Sequence, residues 1–437
     1  VCSSDLGGVT VGKSRWNWKV LVIVTVALAV MLCGYAYAAN EVVLRFLCFQ
    51  VGVHPDAPWV EKAVNDFNKE YAGKIKVVID GVAGDQACWE KLRTDAAADT
   101  MPDIFMIKAD RSEFNVLAQS GRVLDLNPYV TADPAFKARL NDKKSLATYS
   151  HEGQLLGVPF GKAYVGIFYN KDLFAKAGIK EFPVTWDEFF TVCATLKKSG
   201  ITPMSLMTGE NAWCSALMIA HFLGTTPEGQ AWLEGTPEEA NFMDPVFIDA
   251  VAKLQILLNE YTTPDAVGAG YGIAANYFLQ SRTAMIGNGP WMIGSFSDPK
   301  SAPPGFEEKV VYALAPGSGV IAMENVGYAS GSKTKVKQDA AIEFLEFLMR
   351  EEVYAPYLSI TGQAPTIQVD MSRVTYNPIN QEFIPKALEA KFKYDIVPNA
   401  VKPAVIDSFC QLMPGLADKS MAPEEFARRC QEISDKN

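Results

Sequence analysis

From residue 42 onward, apolar and polar positions follow two distinct rhythms. Residues 42–49 (VVLRFLCF) form a β-branched and aromatic run short enough for a buried strand. Trp59, Val60, Ala63, Val64 and Phe67 then recur at helical spacing behind Pro58, predicting a helix over 58–70. Residues 74–79 read as a second strand, 88–98 as a second helix and 102–107 as a third strand. A short helix over 114–119 ends at Gly121, a residue type suited to a left-handed cap. Strands alternating with helices of this length argue for parallel βαβ units, and so for one α/β lobe.

A second region opens at Gly153. Residues 155–159 and 164–169 give two short strands. Thr185 and Glu188 are spaced for a reciprocal capping box, starting a helix that stops at Gly200. Between about 210 and 290 the pattern is mainly helical with Pro-Gly punctuation. Residues 284–287 (AMIG) and 310–315 read as strands, and 338–350 as a strongly periodic helix. The chain has 437 residues, too many for one compact core and suited to two or three folding units. These units read as two α/β lobes with an order too irregular for a single winding.

Composition narrows the function. Apolar residues make up 49% and the formal net charge is −10, so phosphate backbones are repelled and nucleic acid is excluded as a partner. Three histidines (His54, His151 and His221) stand far apart, which argues against a His-rich metal site. No metal or other cofactor is expected. Lys13, Arg15 and Lys19 precede an apolar run over 20–32 and the small residues Ala36 and Ala38. This is the layout of a secretory signal peptide cleaved after Ala38, and the run is too short to span a bilayer. Cys33 follows Leu32 rather than a small residue, so export to the periplasm is favoured over a lipid anchor at the cell surface. Residues 7–14 (GGVTVGKS) match the phosphate-loop pattern, but a signal sequence follows them instead of a helix packed on a strand. Removing residues 1–38 takes away three basic residues and one acidic residue, deepening the net charge to −12. Six cysteines remain without a C-x-x-C pair, and Cys410 with Cys430 is the first pairing to consider in an exported protein.

By residue 170 the sequence resembles a known family. Gly157-Val158-Pro159-Phe160 and, after five residues, 166–176 (GIFYNKDLFAK) resemble the signature of extracellular solute-binding proteins of family 1. These are the substrate-capturing components of ABC importers, with maltose-binding protein a relative. Gly161 departs from the usual residue at its position. The resemblance continues through 99–105, 118–129, 183–189, 282–291 (RTAMIGNGPW), 330–335 and 361–366 (TGQAPT), in order along nearly all of the chain after residue 38. It implies an α/β, two-lobe clamp of the periplasmic-binding-protein type with a hinge of three interlobe crossings, near Val158, residue 325 and Gln363. The expected division is 39–157 plus 326–362 for one lobe and 158–325 plus 363–437 for the other. The implied partners are a carbohydrate ligand and the membrane permease subunits of an importer, for a protein expected to be monomeric.

A sugar site needs carboxylates and amides for hydroxyls, and flat aromatic rings for the apolar faces of the sugar. Trp291 follows Gly287-Asn288-Gly289-Pro290 at the carboxyl end of a strand, where open α/β sheets place ligands. It is the first candidate platform. Trp213 lies in a polar turn entering a helix, and Tyr164 is a further aromatic candidate. Trp59, Trp89, Trp186 and Trp232 read as packing residues. For hydroxyls the candidates are Asp110, which follows the third strand, Gln50 and His54, which end the first, and Glu210, Asn288, Asn325 and Gln363. The rival reading is an exported glycosidase, which needs two carboxylates about 5–10 Å apart. Sequence spacing does not exclude that arrangement, but no G-x-S-x-G, H-E-x-x-H or clustered Cys/His motif is present.

Overall fold

The computed structural model describes residues 41–437 apart from 53, 109 and 110. The leader, the phosphate-loop match, Cys33 and Asp110 therefore lie outside the described residues. Eleven strands are present among those described: β1 (Val42–Cys48), β2 (Ile75–Gly81), β3 (Ile104–Ile107), β4 (Ser150–His151), β5 (Gln154–Leu155), β6 (Val158–Asn170), β7 (Thr202–Ser205), β8 (Thr283–Asn288), β9 (Val310–Ala313), β10 (Gly319–Ala329) and β11 (Phe392–Tyr394). All but the β4–β5 hairpin belong to one sheet in the order β2-β1-β3-β10-β6-β8-β7, with β11 beside β10 and β9 beside β6.

The first lobe grows from the expected βαβ units. β1 pairs in parallel with β2, from Val42 opposite Ile75 to Cys48 opposite Gly81, and with β3 through Phe46 and Leu47. Helix Ala57–Glu70 starts with a proline in its first turn and buries Trp59, Val60, Ala63, Val64 and Phe67. Phe67 meets Phe344 and Phe347 of helix Lys335–Leu348 edge-on at 4.9 and 5.3 Å. Each such wholly buried aromatic contributes about 1.5–3 kcal/mol. In the second lobe the capping box forms in both directions: Thr185 Oγ1 accepts from the Glu188 N–H, and the Glu188 carboxylate accepts from the Thr185 N–H.

Two strands run through both lobes, and the sequence pattern had broken the first of them into two. β6 is continuous over thirteen residues, because Gly161 and Lys162 keep its backbone paired where the apolar pattern lapses. Its neighbour in this stretch is β10, antiparallel from Tyr164 opposite Ala322 to Val158 opposite Tyr328. Along β6, Phe160 belongs to the first core and Ala163 to the second; along β10, Met323 belongs to the second and Val326 to the first. A register shift between Glu324 and Val326 places Asn325 in a bulge at this changeover. Beyond residue 363 the chain still packs on the first core before it reaches the second. Ile367 is still part of the first core and Tyr376 packs against it, whereas Ile379 packs against a cluster of the second lobe. Helix Glu351–Thr361 is capped by Gly362 in the left-handed conformation (φ 67°), and the chain then returns along β6. Lys162 and Ala364 exchange backbone hydrogen bonds of 3.0 and 2.8 Å.

The lobes also touch away from these strands. Helix Arg111–Gln119 packs against Val397–Ala400. A Cβ on Gly294 would lie 3.4 Å from Pro55, and Arg93 faces Asp407 at 3.7 Å. Cys410 and Cys430, on adjacent helices, are free: Cys430 is wholly buried in the second core while Cys410 is half-exposed. Burial pushes the Cys430 thiol well above its ordinary range. Among the described residues no helix is long and apolar enough to cross a membrane, and no acidic, histidine and cysteine cluster could hold a metal.

Candidate functional site

The second lobe contributes an aromatic pair. Trp291 follows β8 through Gly289 and Pro290, and a Cβ on Gly289 would lie within 2.2–2.6 Å of three atoms of the Trp291 ring. The indole therefore rests directly on the glycine backbone. Trp213 starts helix Trp213–Gly224, immediately after a turn in which Glu210 (φ 53°) and Ala212 (φ 52°) adopt left-handed conformations without being glycine. Such residues are uncommon and store strain. The two indoles lie 6.2 Å apart at an interplanar angle of 47°, both half-buried. Tyr164, on β6, is half-buried and packs against the same apolar cluster, its carbonyl accepting from the Tyr312 hydroxyl at 2.7 Å.

Two of the polar candidates meet at Tyr271. Asn288 is wholly buried; its Nδ2 donates to the Tyr271 hydroxyl at 3.1 Å and its Oδ1 accepts from the Gly289 N–H at 2.8 Å. Glu210 lies at the surface, where its carboxylate accepts from the Tyr271 N–H at 3.2 Å. Tyr271 was not singled out from the sequence. It opens helix Tyr271–Leu279 with no motif around it beyond the preceding glycine.

In the first lobe, Gln50 and His54 meet at the carboxyl end of β1 around Asp56. Gln50 is buried and its Nε2 donates to Asp56 Oδ2 at 2.5 Å, while His54 Nδ1 accepts from the Asp56 N–H at 3.2 Å. Burial raises the Asp56 carboxyl to about 7 and lowers His54 to about 4, so His54 is neutral over the physiological range. Phe49 packs edge-on against His54, and the Lys108 ammonium, paired with Asp85, lies over the rings of Phe49 and Trp89. Gln363 is wholly buried at the changeover, its Nε2 donating to the Tyr357 hydroxyl at 3.0 Å. Beside it Lys162 bridges Glu324 (3.2 Å) and Asp142 (3.3 Å), and Ser145 donates to Glu324 at 2.8 Å. The other described tryptophans direct their indole N–H groups to partners within the fold: Trp59 to the Val353 carbonyl, Trp89 to Asp85, Trp186 to Thr225 and Trp232 to the Asn241 carbonyl.

Two cores joined by strands shared between them are the geometry of a clamp that closes on a small solute. Residues 52–355 match the family described as bacterial extracellular solute-binding protein. The chain belongs to that family. Among curated solute-binding relatives, it is 24% identical over 71% of its length to a multiple sugar-binding protein of Streptococcus mutans, covering 72% of that protein. It is 26% identical over 77% of its length to a diacetylchitobiose-binding protein of Streptomyces coelicolor, covering 76% of it. Among solved solute-binding structures, a chitin oligosaccharide binding protein superposes with a TM-score of 0.82 at 22% identity, over 91% of this chain and 99% of the other. A Streptococcus pneumoniae solute-binding protein in complex with the blood group A-trisaccharide superposes with a TM-score of 0.75 at 20% identity, over 90% and 100%. The two-lobe clamp fold is that of these neighbours. The matched family consists of binding proteins, and the glycosidase reading finds no support in it.

Proposed function

We propose that this chain is the extracytoplasmic substrate-binding component of an ABC importer, capturing a sugar or oligosaccharide between its lobes and delivering it to the membrane permease. The observation that carries the reading is the Trp213–Trp291 pair, held half-buried beside buried amide groups in the second lobe. Aromatic faces with fixed hydrogen-bonding groups around them suit the two kinds of surface a pyranose presents. The multiple sugar-binding and diacetylchitobiose-binding relatives support the same class.

In this reading Trp291, Trp213 and Tyr164 contact the ligand's apolar faces, and Asp110, His54 and Asn325 its hydroxyls. Gln50, Asn288, Glu210 and Gln363 border the site and hold its walls. The proposed lobes are 39–157 with 326–362 and 158–325 with 363–437, and the change of core along the chain supports extending the first through Tyr376. The protein acts as an exported monomer, with its leader cleaved after Ala38. It binds without turnover.

The test is titration of the chain from Ala39 with lactose, diacetylchitobiose, raffinose and maltotriose, following tryptophan fluorescence and melting temperature together. A saturable signal with the sugar recovered intact supports the proposal. Hydrolysis of the sugar, or silence across the panel, overturns it.

A further inference from the structure

We infer that Tyr271 is a positioning residue that sets the angle between Trp213 and Trp291, and that the pair so fixed recognises two successive rings of an oligosaccharide rather than one monosaccharide. The inference rests on the carbohydrate reading and adds the ligand's minimum length.

The geometry of the indoles decides between one ring and two. Clasping a single pyranose between two indoles requires near-parallel planes separated by two van der Waals contacts, about 7–8 Å in all. Here the centroids are 6.2 Å apart and the planes are inclined at 47°. A sugar ring does not fit between them, so the pair cannot clasp one ring; two half-buried indoles inclined in this way suit two successive rings of a bent chain.

One hydroxyl ties the pair together. The Tyr271 hydroxyl accepts from Asn288 Nδ2 at 3.1 Å, and Asn288 Oδ1 accepts in turn from the N–H of Gly289, the residue beneath the Trp291 ring. Gly289 supports the Trp291 ring from below, leaving no room for even a methyl group. Asn288 and Gly289 therefore link the Tyr271 hydroxyl to the seat of the half-buried Trp291 ring. The same tyrosine is linked to the other platform through its backbone, because its N–H donates to Glu210 at 3.2 Å. The Glu210 carboxylate lies against Gly270, where a Cβ would come within 2.1 Å of Oε1. Glu210 and Ala212 occupy the strained turn that leads straight into Trp213. Helix Tyr271–Leu279 thus begins at the point where the supports of both tryptophans meet, and all three aromatic residues pack against one apolar cluster.

Tyr271→Phe removes the hydroxyl and keeps the ring. Two indoles this close give a far-ultraviolet exciton couplet, which Trp213→Phe or Trp291→Phe abolishes and which reads their mutual angle without any ligand. In Tyr271→Phe the couplet is expected to change, with the melting temperature held. Affinity for maltotriose, raffinose or diacetylchitobiose, whichever binds the parent protein, is expected to fall about tenfold. Glucose and N-acetylglucosamine are expected to bind the parent protein far more weakly than the longer sugars. Glu210→Gln, a second variant that weakens the tie to Trp213, should shift the couplet in a smaller measure. An unchanged couplet and affinity in Tyr271→Phe overturn the positioning role. Monosaccharide binding as tight as that of the longer sugars overturns the two-ring inference while leaving the carbohydrate reading intact. If no sugar binds the parent protein the carbohydrate reading fails, and the two-ring inference with it; the couplet still decides the role of Tyr271.

Discussion

Gly161 lies directly under the side chain of Gln363: a Cβ at residue 161 would stand 2.1 Å from Gln363 Oε1 and 2.9 Å from its Cδ. The adjacent residues, Lys162 and Ala364, are joined by two backbone hydrogen bonds. The Gln363 side chain has no room to retreat, since it is wholly buried with its Nε2 on Tyr357. The space a side chain would fill is occupied by the glutamine that leads away from helix Glu351–Thr361.

Gly161→Ala should therefore destabilise the protein by about 1–3 kcal/mol through overpacking at the point where β6 passes between the cores. Urea unfolding measures this directly. The double variant Gly161→Ala with Gln363→Ala should recover most of the loss, because the two residues share one space and their effects are not additive. Full additivity would show that the strain lies elsewhere.

Trp291 and Trp59 should behave in opposite ways when truncated. Trp59 is 4% exposed, stacks obliquely on Tyr357 at 4.8 Å and donates to the Val353 carbonyl, so Trp59→Ala should cost about 3–5 kcal/mol of stability. Trp291 is half-buried, and Trp291→Ala should instead weaken sugar binding by about 2 kcal/mol, roughly thirtyfold, with a smaller change in melting temperature. Calorimetric binding and thermal melts on both variants separate the two roles.

Much of this arrangement was legible in residue types. The helix over 57–70, the capping box of Thr185 and Glu188, and the left-handed Gly121 (φ 64°) follow from local rules that tertiary contacts left undisturbed. Trp291 could be singled out because a strand followed by Gly-Pro is itself a positional signal. What the sequence could not carry is long-range. Tyr271 becomes important only because the fold brings Asn288 and Glu210, seventeen and sixty-one residues away, to its two polar ends. The continuity of β6 depends on pairing with β10, and a strand split by a glycine and a lysine gives no local sign of it. Cys410 and Cys430 were close in sequence, yet helical packing buries one and leaves the other half-exposed.

The pH dependence of stability should contain opposing contributions. The Asp56 carboxyl, raised by burial from 3.8 to about 7, binds its proton more tightly folded than unfolded. Its contribution is complete below pH 3.8 and is lost as pH rises through about 7, by at most about 1.4 kcal/mol per unit. His221 is wholly buried, with Nδ1 at 2.8 Å from the Tyr394 hydroxyl, and burial lowers it from 6.5 to about 3. Its contribution is present above pH 6.5 and lost as pH falls through about 3, and His54 beside Asp56, lowered to about 4, acts in the same sense. Asp56→Asn should therefore steepen the loss of stability on acidification, and His221→Gln should flatten it. Chemical unfolding between pH 4 and 8 checks both slopes, and a parallel shift without a change of slope would contradict the assignment.

The Arg93–Asp407 pair supplies the last prediction, because it joins a helix of the first core to one of the second. At 3.7 Å, with side chains 31% and 51% exposed, it is a surface ion pair, worth about 0–1 kcal/mol and screened by salt. That is small against total stability and appreciable against a clamp's opening equilibrium, where about 1 kcal/mol changes the closed-to-open ratio roughly fivefold. Arg93→Ala should leave the melting temperature nearly unchanged while raising the ligand-free radius of gyration in small-angle scattering. Its apparent affinity for sugar should fall by no more than about fivefold in low salt, converging on that of the parent protein at about 1 M salt. A loss of affinity that persists undiminished at high salt would mean that Arg93 touches the ligand rather than the opposite lobe.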